Sequence, residues 1–357
     1  YYDHATLKIY DVPIFYFPKF FHPDPTVKRQ SGFLIPFLTD NSSVGAGFAL
    51  PYFLAIDDAK DLTFTPKYYS DHRALFLAEY RQAFKSSFLH LDTSYTEGYK
   101  NTSDTKTPGS RNHIFAKYYM NLNQDPSYSS RFSIDLKKVN NPTYFRVQDI
   151  NTSLVNSENT NLMSQIAYSY KRDDLRFNIS SKVYENLDEQ SNKKYEYFLP
   201  NIEFGKNIFT SERLGILNFE SKAYYNNYDI NRHNKFLIND ILWDSKNFLS
   251  KNGLLNSFKA QIKNTNYDSK RDTSLKQKNN NHEISGAIAF KSELPMQKET
   301  VNYVKTLSPN FMLRYAPGHM RDLRDEDILL SYANLFSMNK TTENDVVESG
   351  LSTILGI

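Results

Sequence analysis

The chain contains no cysteine, so these residues hold neither a disulfide nor a thiolate ligand or nucleophile. No apolar run approaches the ~18 residues of a membrane helix, and the mean hydropathy is −0.61. A helical membrane protein is excluded. A transmembrane β-barrel is not, because half of its strand positions face water. An excess of one charge is missing too: 43 basic residues stand against 40 acidic ones, a net charge of +3. Nucleic acid calls for a concentrated basic face, so no nucleic-acid partner is expected.

Catalytic signatures are equally scarce. There is no GxSxG, Walker loop or GxGxxG. The eight histidines (4, 22, 72, 90, 113, 233, 282 and 319) never stand at metal-ligand spacing from one another. Neither an enzyme, a metal site nor a cofactor is expected. Ser42–Gly47 is small and flexible, but it lacks the lysine and following helix of a phosphate loop and reads as a turn. The acidic groups Asp57-Asp58, Asp173-Asp174 and Asp325–Asp327 read as solvated turn charges. No repeat of fixed length marks a solenoid or propeller.

What the chain has in excess is tyrosine and phenylalanine, 26 of each. Both favour strands, and tyrosine favours membrane–water interfaces. From Ser31 onward, stretches of about ten residues alternate apolar and polar, the period of half-buried strands. Phe132, Ile134 and Leu136 oppose Arg131, Ser133, Asp135 and Lys137. The same holds over Leu175–Tyr184, Leu217–Tyr225, Leu254–Lys263 and Ile284–Lys291. No stretch sustains a helical period. Short connectors (Phe84–Ser87, Arg172–Asp174) alternate with long polar ones (Lys100–Asn112, Leu187–Lys194, Asn266–Asn281). Ten residues is the span of a tilted strand across the hydrocarbon layer, and short turns opposite long loops is the outer-membrane pattern. Three readings stay open: an outer-membrane transporter, a passive porin, and a soluble β-sandwich binding module.

The stretch Val12–Ile56 organises the rest. An apolar strand, Val12–Phe21, stops at His22-Pro23-Asp24-Pro25, a rigid joint that cannot sit inside a hydrogen-bonded sheet. Two further apolar segments follow, Ser31–Thr39 and Ala46–Ile56, with Pro36 and Pro51 near their middles. Each proline removes a donor from its ladder, either to shape a bulge or to weaken a seam. The run FYFPKFFHPDPTVKRQSGFLIP, with GFALPYFLAI and DLTFTPKYYS after it, resembles the lipopolysaccharide-assembly (LptD, or OstA) family of the Gram-negative outer membrane. Echoes follow in NPTYFRVQDI, LSPNFMLRYAPG and NDVVESGLSTILG.

The resemblance implies an all-β fragment: residues 1–24 the end of a periplasmic β-jelly roll and its linker, residues 25–357 the N-terminal part of a large antiparallel transmembrane barrel. The chain is expected to be an internal piece of a longer protein. The implied function is translocation of lipopolysaccharide into the outer leaflet of the outer membrane, the N-terminal end lying in the periplasm. Pro36 and Pro51 match the family's lateral-gate prolines, with Phe33 and Leu34 as lipid contacts beside them and His22–Pro25 as the joint. Implied partners are lipopolysaccharide, outer-membrane lipid, a lumen plug lipoprotein (LptE-like) and a periplasmic bridge protein (LptA-like).

Overall fold

The computed structural model describes residues 2–20, 29–123, 125–154, 156–189, 192–229, 232–271, 281–300, 303–318, 330–331, 333–341 and 345–357. The chain is all-β, and every strand pairing among the described residues is antiparallel. It divides into two compact units: residues 1–118 with 137–158, and residues 119–136 with 159–357.

The first unit opens with a hairpin of β1 (Tyr2–Ile9) and β2 (Val12–Phe20). Its turn falls at Tyr10 and Asp11, both in the left-handed region. The unit continues through β3 (Gly32–Phe33), β4 (Phe37–Asn41), β5 (Gly45–Ala49), β6 (Tyr52–Asp57) and β7 (Lys60–Tyr69). Then come β8 (Leu75–Ala83), β9 (Ser87–Gly98) and most of β10 (Pro108–Asn121). The turn Ser42–Val44 is set by the Ser43 N–H bonding the Asn41 side chain at 2.8 Å. Gly45 follows at φ +80, where a Cβ would strike the Ser70 hydroxyl.

The second unit holds most of β11 (Tyr128–Val139), then β12 (Asn161–Arg172), β13 (Leu175–Asn186), β14 (Tyr195–Ser211) and β15 (Gly215–Tyr228). It continues with β16 (Arg232–Asp244), β17 (Phe248–Leu249), β18 (Leu255–Lys270) and β19 (Asn281–Glu293). A small exposed hairpin, β20 (Met296–Glu299) with β21 (Val304–Leu307), precedes β22 (Asn310–Ala316) and β23 (Gly350–Gly356). Register is unbroken where alternation was clearest, as from Ile216↔Asp244 to Tyr228↔Arg232.

The faces are inverted relative to a water-soluble sheet. Along β18, Gln261, Lys263, Thr265 and Ser269 are buried, while Phe258 and Ile262 are exposed. In the first unit Asp92, Ser94, Thr96 and His113 are buried, while Phe64, Phe76, Tyr95 and Ile114 are exposed. Buried polar side chains need partners, and Lys263 finds one on the same face: its Nζ lies 2.5 Å from Asp240. Exposed apolar rows on a sheet are expected where the solvent is lipid.

In the first unit the turns Asp58-Ala59 and Phe84–Ser86 close one end of β6–β9; in the second unit Asp173-Asp174 and Glu212–Leu214 close one end of β12–β15. Two differences from expectation are polar strand ends: β10 begins at Pro108 and β18 runs on to Lys270. A strand whose inward positions are polar has no apolar signal to separate it from a loop.

Candidate functional site

Each predicted gate proline ends a strand segment. Pro36 lies between β3 and β4, and Pro51 between β5 and β6. The pairs Phe33↔Tyr52 and Phe37↔Ala49 enclose Leu34-Ile35-Pro36 on one side and Leu50-Pro51 on the other. Three residues facing two make a bulge. The structure therefore brings the two prolines to one level.

A third proline, which the sequence reading passed over, stands at that level on β7. The pairs Ala49↔Lys67 and Tyr52↔Phe64 place Leu50-Pro51 opposite Thr65-Pro66. The Leu34 N–H donates to the Pro51 carbonyl at 2.9 Å, and the Leu50 N–H to the Pro66 carbonyl at 3.2 Å. In an antiparallel ladder such a pair exchanges two bonds. Proline has no N–H to return, so both pairs are one-sided. The signal was available in the equal spacing of 36, 51 and 66.

Phe33 is 62% exposed and Leu34 45% exposed; the Phe33 ring stands edge-on to Tyr52 at 5.0 Å. His22, Pro23, Asp24 and Pro25 lie outside the described residues, as do His319 and Asp325–Asp327. Just before β3, Arg29 pairs with the Asp61 carboxylate, which is 3% exposed and also takes Arg81 Nε at 2.9 Å. The Arg29 guanidinium covers the Phe53 ring at 5.5 Å.

The buried face of the first unit carries a second feature. After β11 the chain makes a five-residue helix, α1 (Tyr144–Gln148), inside the motif NPTYFRVQDI. Tyr144, Phe145 and Gln148 are buried. Phe145 packs edge-on against Phe115 at 5.4 Å and His113 at 5.3 Å. The Tyr144 hydroxyl meets Ser94 Oγ at 2.7 Å. Ser94 Oγ is 2.6 Å from His113 Nδ1, and His113 Nε2 is 2.9 Å from Asp92. Burial pushes the Tyr144 phenol up and out of the titrating range. In the turn after β7, His72 Nε2 lies 2.8 Å from Gln148 Nε2 and its Nδ1–H reaches the Arg73 carbonyl at 3.0 Å. Burial holds this imidazole below the usual histidine range, and the Arg111 and Lys100 charges push the same way.

The sequence shows scattered histidines; the fold gathers His72, His90 and His113 on one face. The legible sign was the polar row His90, Asp92, Ser94 and Thr96 at every second position of β9. Among the described residues no group of three or more His, Cys, Asp or Glu could hold a metal ion.

The second unit repeats the device. Between β22 and β23, residues 334–341 and 345–348 lie on the buried side: Val347 packs on Ala287 and Ala316, and Leu335 and Phe336 on Met312 and Ile354. Fully buried Arg314 donates from Nε to the Met338 carbonyl and from Nη2 to the Glu348 carbonyl, both at 2.6 Å. Thr265 Oγ1 donates to the Asp345 carbonyl at 2.7 Å.

Comparison with known proteins now bears on this geometry. The chain is 28% identical over 203 residues to an LPS-assembly protein LptD of Pseudomonas fluorescens, covering 56% of this chain and 21% of that protein. A Vibrio vulnificus LPS-assembly protein LptD is 26% identical over 64% of this chain and 28% of its own length. One from Pseudoalteromonas atlantica is 26% identical over 52% and 23%. The chain thus spans about a quarter of the length of these relatives. The family model described as "LPS transport system D" matches residues 109–357, downstream of the proline-bearing opening stretch and over the three later echoes. A match over more than half of the chain places it in the LptD family.

Proposed function

We propose that this chain contributes the joint and the first strands of an outer-membrane barrel through which lipopolysaccharide reaches the outer leaflet. Residues 1–24 close a periplasmic jelly roll, and residues 25–357 begin the barrel, the N-terminal end in the periplasm. The exposed apolar rows would face lipid and the buried polar face would line the lumen, where the sugars travel. That inversion runs against a soluble sandwich. The acyl chains would leave sideways beside Phe33 and Leu34, at a gate weakened by Pro36 and Pro51.

The observation that carries this reading is the one-sided hydrogen bonding at Pro51, at the start of the barrel. Parting two strands in hydrocarbon exposes backbone groups at several kcal/mol each. A missing donor lowers that barrier where it occurs. A porin gains nothing from such a seam. No chemistry is needed at the gate: substrate pushed from the periplasm supplies the direction. The lumen plug lipoprotein and periplasmic bridge protein belong to the same reading.

Photocrosslinking in cells tests it, on the full-length parent. A photoreactive residue replaces Phe33, or Phe258 as a control, since Phe258 is also exposed and lies far along the chain. A lipopolysaccharide adduct at Phe33 and not at Phe258 is expected. Equal labelling, or none in a protein that freely conducts small solutes, refutes it.

A further inference from the structure

On the two sides of the proline level the first strands are held by different means. Towards the short-turn end, a buried carboxylate ties the strand start to its neighbours: Asp61 on β7 grips Arg29, just before β3, and Arg81 on β8. Arg29 also donates to the Asp58 carbonyl at 3.4 Å. Ser31 Oγ accepts the Ala55 N–H at 2.9 Å, which fastens the same point to β6. Towards the other end, the hairpin β4–β5 has no comparable cluster among the described residues. Its register to β7 is three pairs, Gly47↔Tyr69, Phe48↔Tyr68 and Ala49↔Lys67. The Ser70 N–H adds a bond to the Ala46 carbonyl at 2.9 Å, and the tip is tethered by Asn41 Nδ2 to the Val147 carbonyl at 3.3 Å. Between the two halves runs the level of Pro36, Pro51 and Pro66, with its two one-sided pairs.

We propose that the wall opens as a flap: the hairpin Phe37–Ala49 swings away from β7 about the level of Pro36 and Pro51 while the Arg29–Asp61–Arg81 cluster keeps β3 and β6 in the sheet. The proposal rests on the gate reading above and says which part of the gate moves. Pro66 stays in the sheet on β7, where its missing N–H leaves Leu50, at the base of the flap, held to β7 by a single bond of the pair. A seam weakened only between the first two strands would need only the first two prolines. The flap also limits the damage of opening. Backbone groups left unpaired in hydrocarbon are costly, and a hinge at mid-strand leaves the pairs nearer the short-turn end intact. The tether from Asn41 to the Val147 carbonyl puts the free end of the flap in touch with the buried helix α1.

The test exploits the absence of cysteine. In the full-length parent, one variant carries Phe48→Cys with Tyr68→Cys, across β5 and β7 in the flap. A second carries Tyr52→Cys with Phe64→Cys, across β6 and β7 at the base. Both are direct cross-strand partners. Arrival of lipopolysaccharide at the cell surface is measured under oxidant and again after reductant, beside the parent treated identically. Reversal by reductant separates a locked gate from a misfolded barrel.

The oxidised flap pair should cut export by about tenfold or more, because a locked strand pair cannot part, and reductant should restore it. The oxidised base pair should leave export at the parent's level. Equal block by both disulfides overturns the flap in favour of unzipping along the whole strand. Free export through the oxidised flap pair, with the Phe33 adduct still forming, overturns it as well and leaves the gate reading standing. Loss of the Phe33 adduct in the otherwise unaltered parent overturns the gate reading itself.

Discussion

Returning the missing donors should close the gate. In Pro51→Ala the new N–H faces the Leu34 carbonyl, and in Pro66→Ala it faces the Leu50 carbonyl, because each pair already has the bond in the other direction. One net backbone hydrogen bond is worth about 1 kcal/mol, which shifts the opening equilibrium roughly 5-fold for each variant. The double variant should reach roughly 30-fold if the two bonds add. Global stability gains less. Exchanging proline for alanine frees the unfolded chain by about 0.4–1 kcal/mol, which offsets most of the new bond, so the thermal midpoint should stay nearly level while the gate tightens. The difference in size keeps the two effects apart. The readouts are the rate of lipopolysaccharide adduct formation at Phe33 and amide exchange at Leu34 and Leu50, with Pro126→Ala, in the turn just before β11, as control. An unchanged adduct rate and unchanged exchange in the double variant would refute the reasoning that missing donors set the barrier.

Three other outcomes follow from the same structure. His72 is depressed below its usual pKa, so its contribution to holding α1 is full above about pH 6.5 and is lost as pH falls towards the depressed value. Protection against hydrogen exchange over residues 144–150, corrected for the intrinsic slowing of exchange at lower pH, should therefore fall between pH 7.5 and 5.5, and His72→Gln should abolish that dependence. Arg314→Leu removes two charge-assisted bonds of about 1.5–3 kcal/mol each and should expose residues 338–348 to protease, while β22 itself stays protected. Ile262→Arg, on the exposed face of β18, should impair membrane assembly by about 2–4 kcal/mol. Its inward neighbour Thr265→Ser should be tolerated, and denaturant midpoints of the refolded protein in lipid would show it. Equal effects of these last two would place β18 in water rather than lipid.

Much of the fold was legible because strand alternation is local. Phe132, Ile134 and Leu136, or Phe258 and Ile262, declare their shared face through chain spacing alone, and Asp173-Asp174 declares its turn. Polar strand ends were read as loops, since Pro108–Asn112 and Asn266–Lys270 carry no apolar partner row to mark them. The helix α1 was not legible either. Five residues are too few for a helical period, and Tyr144–Gln148 is held by contacts with strands far away in sequence.

Sequence alone determined that this is an all-β chain with two proline-broken first strands and that it resembles the LptD family, because composition, period and missing donors are properties of each segment taken singly. Tertiary structure decided which face is buried, that Pro66 lies level with Pro36 and Pro51, that Asp61 clamps Arg29 and Arg81, and that His72 and His113 meet α1. Those are facts of register between strands, and register is fixed by pairings across the sheet.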